Sequence, residues 1–181
     1  MSTTENIFEY VNLINKRSKV AFKIIASSKS KDRNLAILNT SKIIKNNINK
    51  ILHANEIDIN NAKTKNLNNS FIDRLILNPA RINNIILGLE NISKMNDPLG
   101  IELSRWQQPN GLDISRITVP LGIIGIIYES RPNVTVDAGS LCIKSGIRCR
   151  NQEPGILSHI GAVAGNVLSG IRNAQRNADT E

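Results

Sequence analysis

Aromatic side chains are scarce in this chain of 181 residues, which holds three Phe, two Tyr and one Trp. Single-strand nucleic-acid binders stack bases on aromatic platforms beside a basic groove. With so few platforms, the dispersed net charge of +8 reads as a solvated basic surface and not as a nucleic-acid interface. Cysteine is nearly absent too. Cys142 and Cys149 form no CxxC, and His53 and His159 are far apart along the chain, so neither a zinc site nor a disulfide framework is indicated. No apolar run approaches membrane-spanning length, and the opening MSTTENIFEY lacks a basic segment followed by an apolar one. The expectation is a soluble, cytoplasmic protein with no metal, no membrane and no nucleic-acid partner.

What is abundant is Ile, Leu, Asn and Lys, enough aliphatic material for a genuine core. The first hundred residues read as helical. Ile7, Val11, Ile14, Ala21 and Ile25 form one stripe, and Ile44, Ile48, Ile51 and Leu52 another. Asn78-Pro79 is a helix start, because Asn caps free N–H groups and Pro suits the first turn. Ile82, Ile85, Ile86, Leu89 and Ile92 then continue a single apolar face. Core packing accounts for all three stripes.

At Asp97-Pro98-Leu99-Gly100 the pattern turns to short extended segments. Residues 101–107 and 112–119 flank Gln108-Pro109-Asn110-Gly111, in which Asn-Gly favours the positive φ angles of a tight β-hairpin. Two strands alone are marginal in water, so this hairpin needs a partner, within the chain or on another subunit. Leu121 to Tyr128 is a continuous apolar run that suits a strand buried on both faces. Gly122 and Gly125 inside it lack the spacing of a dinucleotide-binding fingerprint and read as points of close backbone packing. Pro132 ends the strand. Val134 to Lys144 reads as a helix with Val136, Leu141 and Ile143 partly inward, stopped by Ser145-Gly146. This is β–turn–α, the opening of a βαβ unit. The next segment, IRCRNQ, makes a poor second strand, and Ile156 to Ile171 at best a weak, glycine-rich helix. Residues 147–181 also contain no Lys, whereas Arg persists.

The run VPLGIIGIIYESRPNVTVD, together with LCIKSG, closely resembles the gamma-glutamyl phosphate reductases (glutamate-5-semialdehyde dehydrogenases), within the aldehyde dehydrogenase superfamily. ILHANEIDINNAK, DRLILNPARI, DPLG and QQPNGLDI support the resemblance upstream, which covers about residues 10–146. It implies an α/β fold, here the N-terminal part of an aldehyde-dehydrogenase-like architecture and incomplete. Residues 1–96 would be a helical N-terminal part and 97–119 a hairpin resembling superfamily oligomerisation arms. Residues 120–146 would begin the NADPH-binding domain. Residues 147–181 depart from the family pattern, as a reading-frame shift after Gly146 would produce.

The implied reaction is NADPH-dependent reduction of L-glutamyl 5-phosphate to L-glutamate 5-semialdehyde, a step of proline biosynthesis. A cysteine thiolate attacks the acyl phosphate, phosphate leaves, and hydride reduces the thioester. The family's nucleophilic Cys lies downstream of the matched region, so the chain is expected to be a catalytically inactive fragment. The alternative is an interaction or scaffold module that keeps the hairpin.

Two residues stand out at the strand-to-helix corner, the place where open α/β sheets bind ligands. Arg131 offers a planar fork for phosphate or carboxylate, and Asn133 an amide donor for substrate or oxyanion. Read structurally, Arg131 would pair with Glu129 or Asp137, and Asn133 would cap the helix. Lys144 and Ser145 are the weaker candidates, for NADPH. Cys142 lies on the inward part of a helix and is expected to be a buried apolar thiol, not a nucleophile. Cys149, between Arg148 and Arg150, belongs to the divergent tail and is read as an incidental exposed thiol.

Overall fold

A computed structural model describes residues 3–128 and 131–152, with side-chain surroundings for 8–128 and 131–148. Five helices come first: α1 (Thr3–Ser27), α2 (Ser30–Asn46), α3 (Ile48–Thr64), α4 (Asn69–Leu75) and α5 (Pro79–Lys94). A hairpin of β1 (Glu102–Gln107) and β2 (Asp113–Ile117) follows, then β3 (Ile123–Ile127), α6 (Pro132–Lys144) and β4 (Arg148–Gln152).

The core lies where α5 packs between α2 and α6. Ile82, Ile85, Ile86, Leu89 and Ile92 of α5 are all buried, together with Ile37, Ile44 and Ile51, while Val136 and Ile143 of α6 close over them. Each such aliphatic side chain is worth about 1.5–3 kcal/mol relative to exposure. The stripe through residues 44–52 is interrupted at Asn47, where α2 ends and α3 begins, yet both halves reach this core. Asn78 starts α5 as its sequence implies, its Oδ1 accepting from the Arg81 N–H at 2.7 Å.

The last unit is a βαβ crossover. β4 pairs with β3 in parallel, from Ile123↔Arg148 to Ile127↔Gln152, with α6 between them. The polar IRCRNQ segment therefore supplies the second strand that its composition argued against. Ile147, only 9% exposed, anchors the start of that strand, and main-chain pairing carries the rest.

Four further expectations are corrected. β3 is not buried on both faces: Ile123 and Ile127 are exposed, and α1 is the one helix with more than marginal contact to it among the described residues. Gly122 and Gly125 face open space, and Gly122 is explained instead by its φ of +108°. Leu141 points to solvent at 47% exposure, while Val136 and Ile143 do turn inward. On α1, Val11 is exposed and Ile14, Ala21 and Ile25 are only half-buried, since α1 lies against the narrow β3–β4 pair and not in the helical core. The expected helix over 156–171 lies outside the described residues, as do His159, Glu129 and Ser130, and the side chains of Ile7, Cys149 and Arg150.

Candidate substrate cleft

The site begins with the way α4 and α5 are joined. Asn55 of α3 is 1% exposed and holds the linker by two bonds. Its Nδ2 donates to the Leu75 carbonyl at 2.9 Å, and its Oδ1 accepts from the Leu77 N–H at 2.7 Å. Arg81, in the first turn of α5, then reaches back to the same corner. Its Nη1 donates to the carbonyls of Asp73 and Ile76, each at 2.7 Å, and it pairs with the Asp73 carboxylate at 3.3 Å. The irregular linker between the two helices is thereby fixed in place, with Arg74 in the last turn of α4 on one side of it and Arg81 in the first turn of α5 on the other.

Across from this corner stands the start of α6. Arg131 occupies the N-cap position without a side-chain capping bond, and Pro132 is the first helical residue, where its missing N–H costs nothing. The corner is braced by Tyr128, whose hydroxyl lies 2.6 Å from Thr135 Oγ1, a buried residue. Between the two walls lies a cleft of about 450 Å³, a size usual for small-ligand sites. Arg74, Arg81 and Asn84 face it from one side, and Arg131, Asn133 and Asp137 from the other.

The electrostatics of the cleft are mixed. Among the described residues, Arg81 is ion-paired, but Arg74 and Arg131 are in no salt bridge. The expected pairing of Arg131 with Asp137 is therefore not formed. Asn133 sits one residue inside the helix, not at its cap, and its side chain is hydrogen-bonded to the Asp137 carboxylate. Burial pushes the pKa of that carboxyl above its ordinary value, against the opposing effect of the Asn133 bond. The arrangement places guanidinium forks and an amide donor around a hollow at a helix N-terminus, chemistry suited to an anionic oxygen ligand.

Arg131 and Asn133 are both exposed and line the same cleft. Lys144 and Ser145 lie at the far end of α6. Lys144 is turned inward at 3% exposure, its ammonium donating to Asn34 Oδ1 at 2.7 Å and to the Ser93 carbonyl at 3.2 Å. Burial lowers its pKa, with the Asp97 charge opposing and Arg33 adding to the effect. Arg33, 5% exposed, in turn holds Asp97 at 2.6 Å. Ser145 is half-buried as the C-cap. Cys142 is buried at 5% exposure, as expected. Sequence reasoning did not single out Arg74, Arg81 and Asn84, which line the same cleft. The available signal was a cluster of charge on both sides of Asn78-Pro79 in DRLILNPARI.

No protein-family model matches the chain. Among curated proteins it is similar to the gamma-glutamyl phosphate reductase of Paramagnetospirillum magneticum, 42% identical over 146 residues, which are 81% of this chain and 34% of that protein. It is equally similar to that of Clostridium tetani, 42% identical over 142 residues, with 78% and 33% covered. Among solved structures, the gamma-glutamyl phosphate reductase of Thermotoga maritima superposes with a TM-score of 0.80 at 33% identity, covering 90% of this chain and 38% of the other. That of Saccharomyces cerevisiae gives 0.82 at 22% identity over 96% and 43%, a likeness of fold alone. The chain spans about a third of the length of the curated relatives it matches.

Proposed function

We propose, from the similarity of this chain to the gamma-glutamyl phosphate reductases in sequence and fold, that it carries the substrate-binding corner of that family's reaction. The ligand is then L-glutamyl 5-phosphate. The observation that carries the reading is the cleft itself, with Arg131 and Asn133 set side by side at a strand end. Arg131 takes the phosphate through its planar fork, and the N-terminal dipole of α6 adds to the attraction. Asn133 donates to the acyl oxygen as charge develops on it, which is the role of an oxyanion donor.

The nucleophile is another matter. Cys142 is buried in the helical layer and is not among the residues that line the cleft. The thiol that attacks the acyl phosphate must come from outside the described residues. In the family NADPH supplies the hydride, but Lys144, with its ammonium buried and bonded, does not fit as a contact for the cofactor phosphates. The share of the reaction proposed for these 181 residues is substrate binding without turnover.

The purified chain given glutamate 5-semialdehyde, inorganic phosphate and NADP+ should produce no NADPH absorbance above a no-protein control. Sustained NADPH formation would overturn the inactive reading. Inorganic phosphate should bind, and Arg131→Ala should weaken it about tenfold in titration calorimetry. A second reading, an interaction module, is favoured by one observation. Leu103, Trp106 and Ile117 of the hairpin are all exposed, an apolar surface with no cover among the described residues.

A further inference from the structure

A site built for phosphate alone has no use for a carboxylate on its wall. Two carboxylates line this cleft, and they differ. Asp73 is neutralised by Arg81. Asp137 has no cationic partner among the described residues and is bonded only through the Asn133 amide. It lies one helical turn beyond Asn133, so both side chains share a face of α6. Its Oδ1 rests over α5 at Gly88, 3.8 Å from where a side chain at that glycine would begin. A half-buried carboxylate without a counter-charge is costly to hold ionised. Opposite it, Arg74 is a guanidinium in no described ion pair. Among the described residues, the cleft therefore offers one unmatched anion and one unmatched cation, apart from Arg131.

We infer that Asp137 and Arg74 form an amino-acid recognition site within the cleft, Asp137 receiving the α-ammonium of the ligand and Arg74 its α-carboxylate. The inference rests on the substrate-binding reading above and deepens it, since Arg131 is left for the phosphate at the other end. A zwitterionic end matches the cleft's unpaired charges in both sign and number, whereas a simple dianion leaves Asp137 facing like charge. The upward push that burial gives the Asp137 carboxyl is the cost expected of a group whose counter-ion arrives with the ligand. Asp137 is thus assigned specificity: it excludes dicarboxylates of the same length that lack the amine.

The test uses the intact chain and three probes: L-glutamate, glutarate and inorganic phosphate, with affinities from calorimetry or NMR titration. L-glutamate should bind at least about tenfold more tightly than glutarate. Asp137→Asn should remove that preference by weakening L-glutamate about tenfold, with glutarate unchanged or slightly tighter. Phosphate should depend on Arg131 and not on Asp137. If the wild-type chain fails to distinguish L-glutamate from glutarate, or if Asp137→Asn weakens both alike, the zwitterion site is overturned. The phosphate reading survives in that case provided Arg131→Ala still weakens phosphate. Loss of discrimination by Asp137→Asn together with phosphate binding indifferent to Arg131→Ala would uphold the amino-acid site and sink the phosphate assignment. No detectable binding of any probe would overturn both.

Discussion

Asp137 shows how a single residue is legible in the sequence only as a charge. Its place in VTVD identifies an acidic group on a helix; its half-burial beside Gly88 and its lack of an ion pair come from α5 packing against α6. Because its folded-state pKa is raised, the folded chain binds its proton more readily than the unfolded chain does. Stability then falls as pH rises from the ordinary carboxylate value through the raised one. Asp137→Asn should accordingly melt about 1–2 °C higher than wild type at pH 7, a small gain because solvent still screens the group. The difference should shrink as pH is lowered through that window; a gap that widens on acidification would contradict the assignment. Asn55 presents the opposite case, a buried polar group fully satisfied by two backbone partners. Asn55→Ala strands the Leu75 carbonyl and the Leu77 N–H, and should cost about 2–4 kcal/mol in denaturant unfolding. If chemical denaturation shows less than about 1 kcal/mol, the corner carrying Arg74 and Arg81 is not held as described.

Elements were read best where local chemistry closes on itself. α5 has a side-chain cap, a first-turn proline and an unbroken apolar face, all within seventeen residues, and it forms as its sequence implies. The hairpin is present too, but its turn differs from the tight two-residue form. Of Asn110 and Gly111 only Gly111 has positive φ, at +87°, and Gln108 pairs with Leu112 around a three-residue loop. Pro109 favours this geometry by fixing its own φ. α6 stops at Ser145-Gly146 for an equally local reason. Gly146 takes φ +63°, its N–H donates to the Ile143 carbonyl, and the Ile147 N–H donates to that of Cys142. A side chain at Gly146 would also sit 2.7 Å from Leu99 Cδ1 and 3.3 Å from Pro120 Cγ. Gly146→Ala combines the left-handed penalty with a clash, and should destabilise the chain by about 2–3 kcal/mol by urea unfolding. Near-neutral behaviour would mean that the loop at Leu99 and Pro120 yields freely.

At the scale of the whole molecule, the described residues comprise a helical layer with a well-filled core, a β3–β4 pair touched by α1 and α6, and a hairpin that lacks cover. The hairpin leaves Ile101, Leu103, Trp106 and Ile117 exposed, while Arg105 and Asp113 pair across it by side-chain hydrogen bonds. We propose that this arm joins copies of the chain, as its resemblance to superfamily arms implies. Sedimentation velocity should then show a species larger than monomer, shifted toward monomer by Trp106→Lys with Leu103→Lys. Identical profiles for wild type and variant would dismiss the arm as an association surface. No helix among the described residues is long and apolar enough to cross a membrane.

What the sequence by itself determined are the features whose causes lie within a few residues: helix faces at a spacing of three and four, the Asn78 cap, the Gly146 stop, and the family likeness carried by VPLGIIGIIYESRPNVTVD. Tertiary structure alone decided which of those faces found a partner. α5 is buried because α2 and α6 enclose it, whereas α1, packed on the narrow β3–β4 pair, and β3, paired with β4 alone among the described residues, keep exposed apolar side chains. It also decided that IRCRNQ would be a strand, since main-chain pairing with β3 does not require apolar side chains. Finally, it gathered Arg74, Arg131 and Asp137 around one cleft and sent Lys144 into the core. Charge is written locally, but whether it meets solvent, a counter-ion or a ligand depends on contacts between residues far apart in the chain.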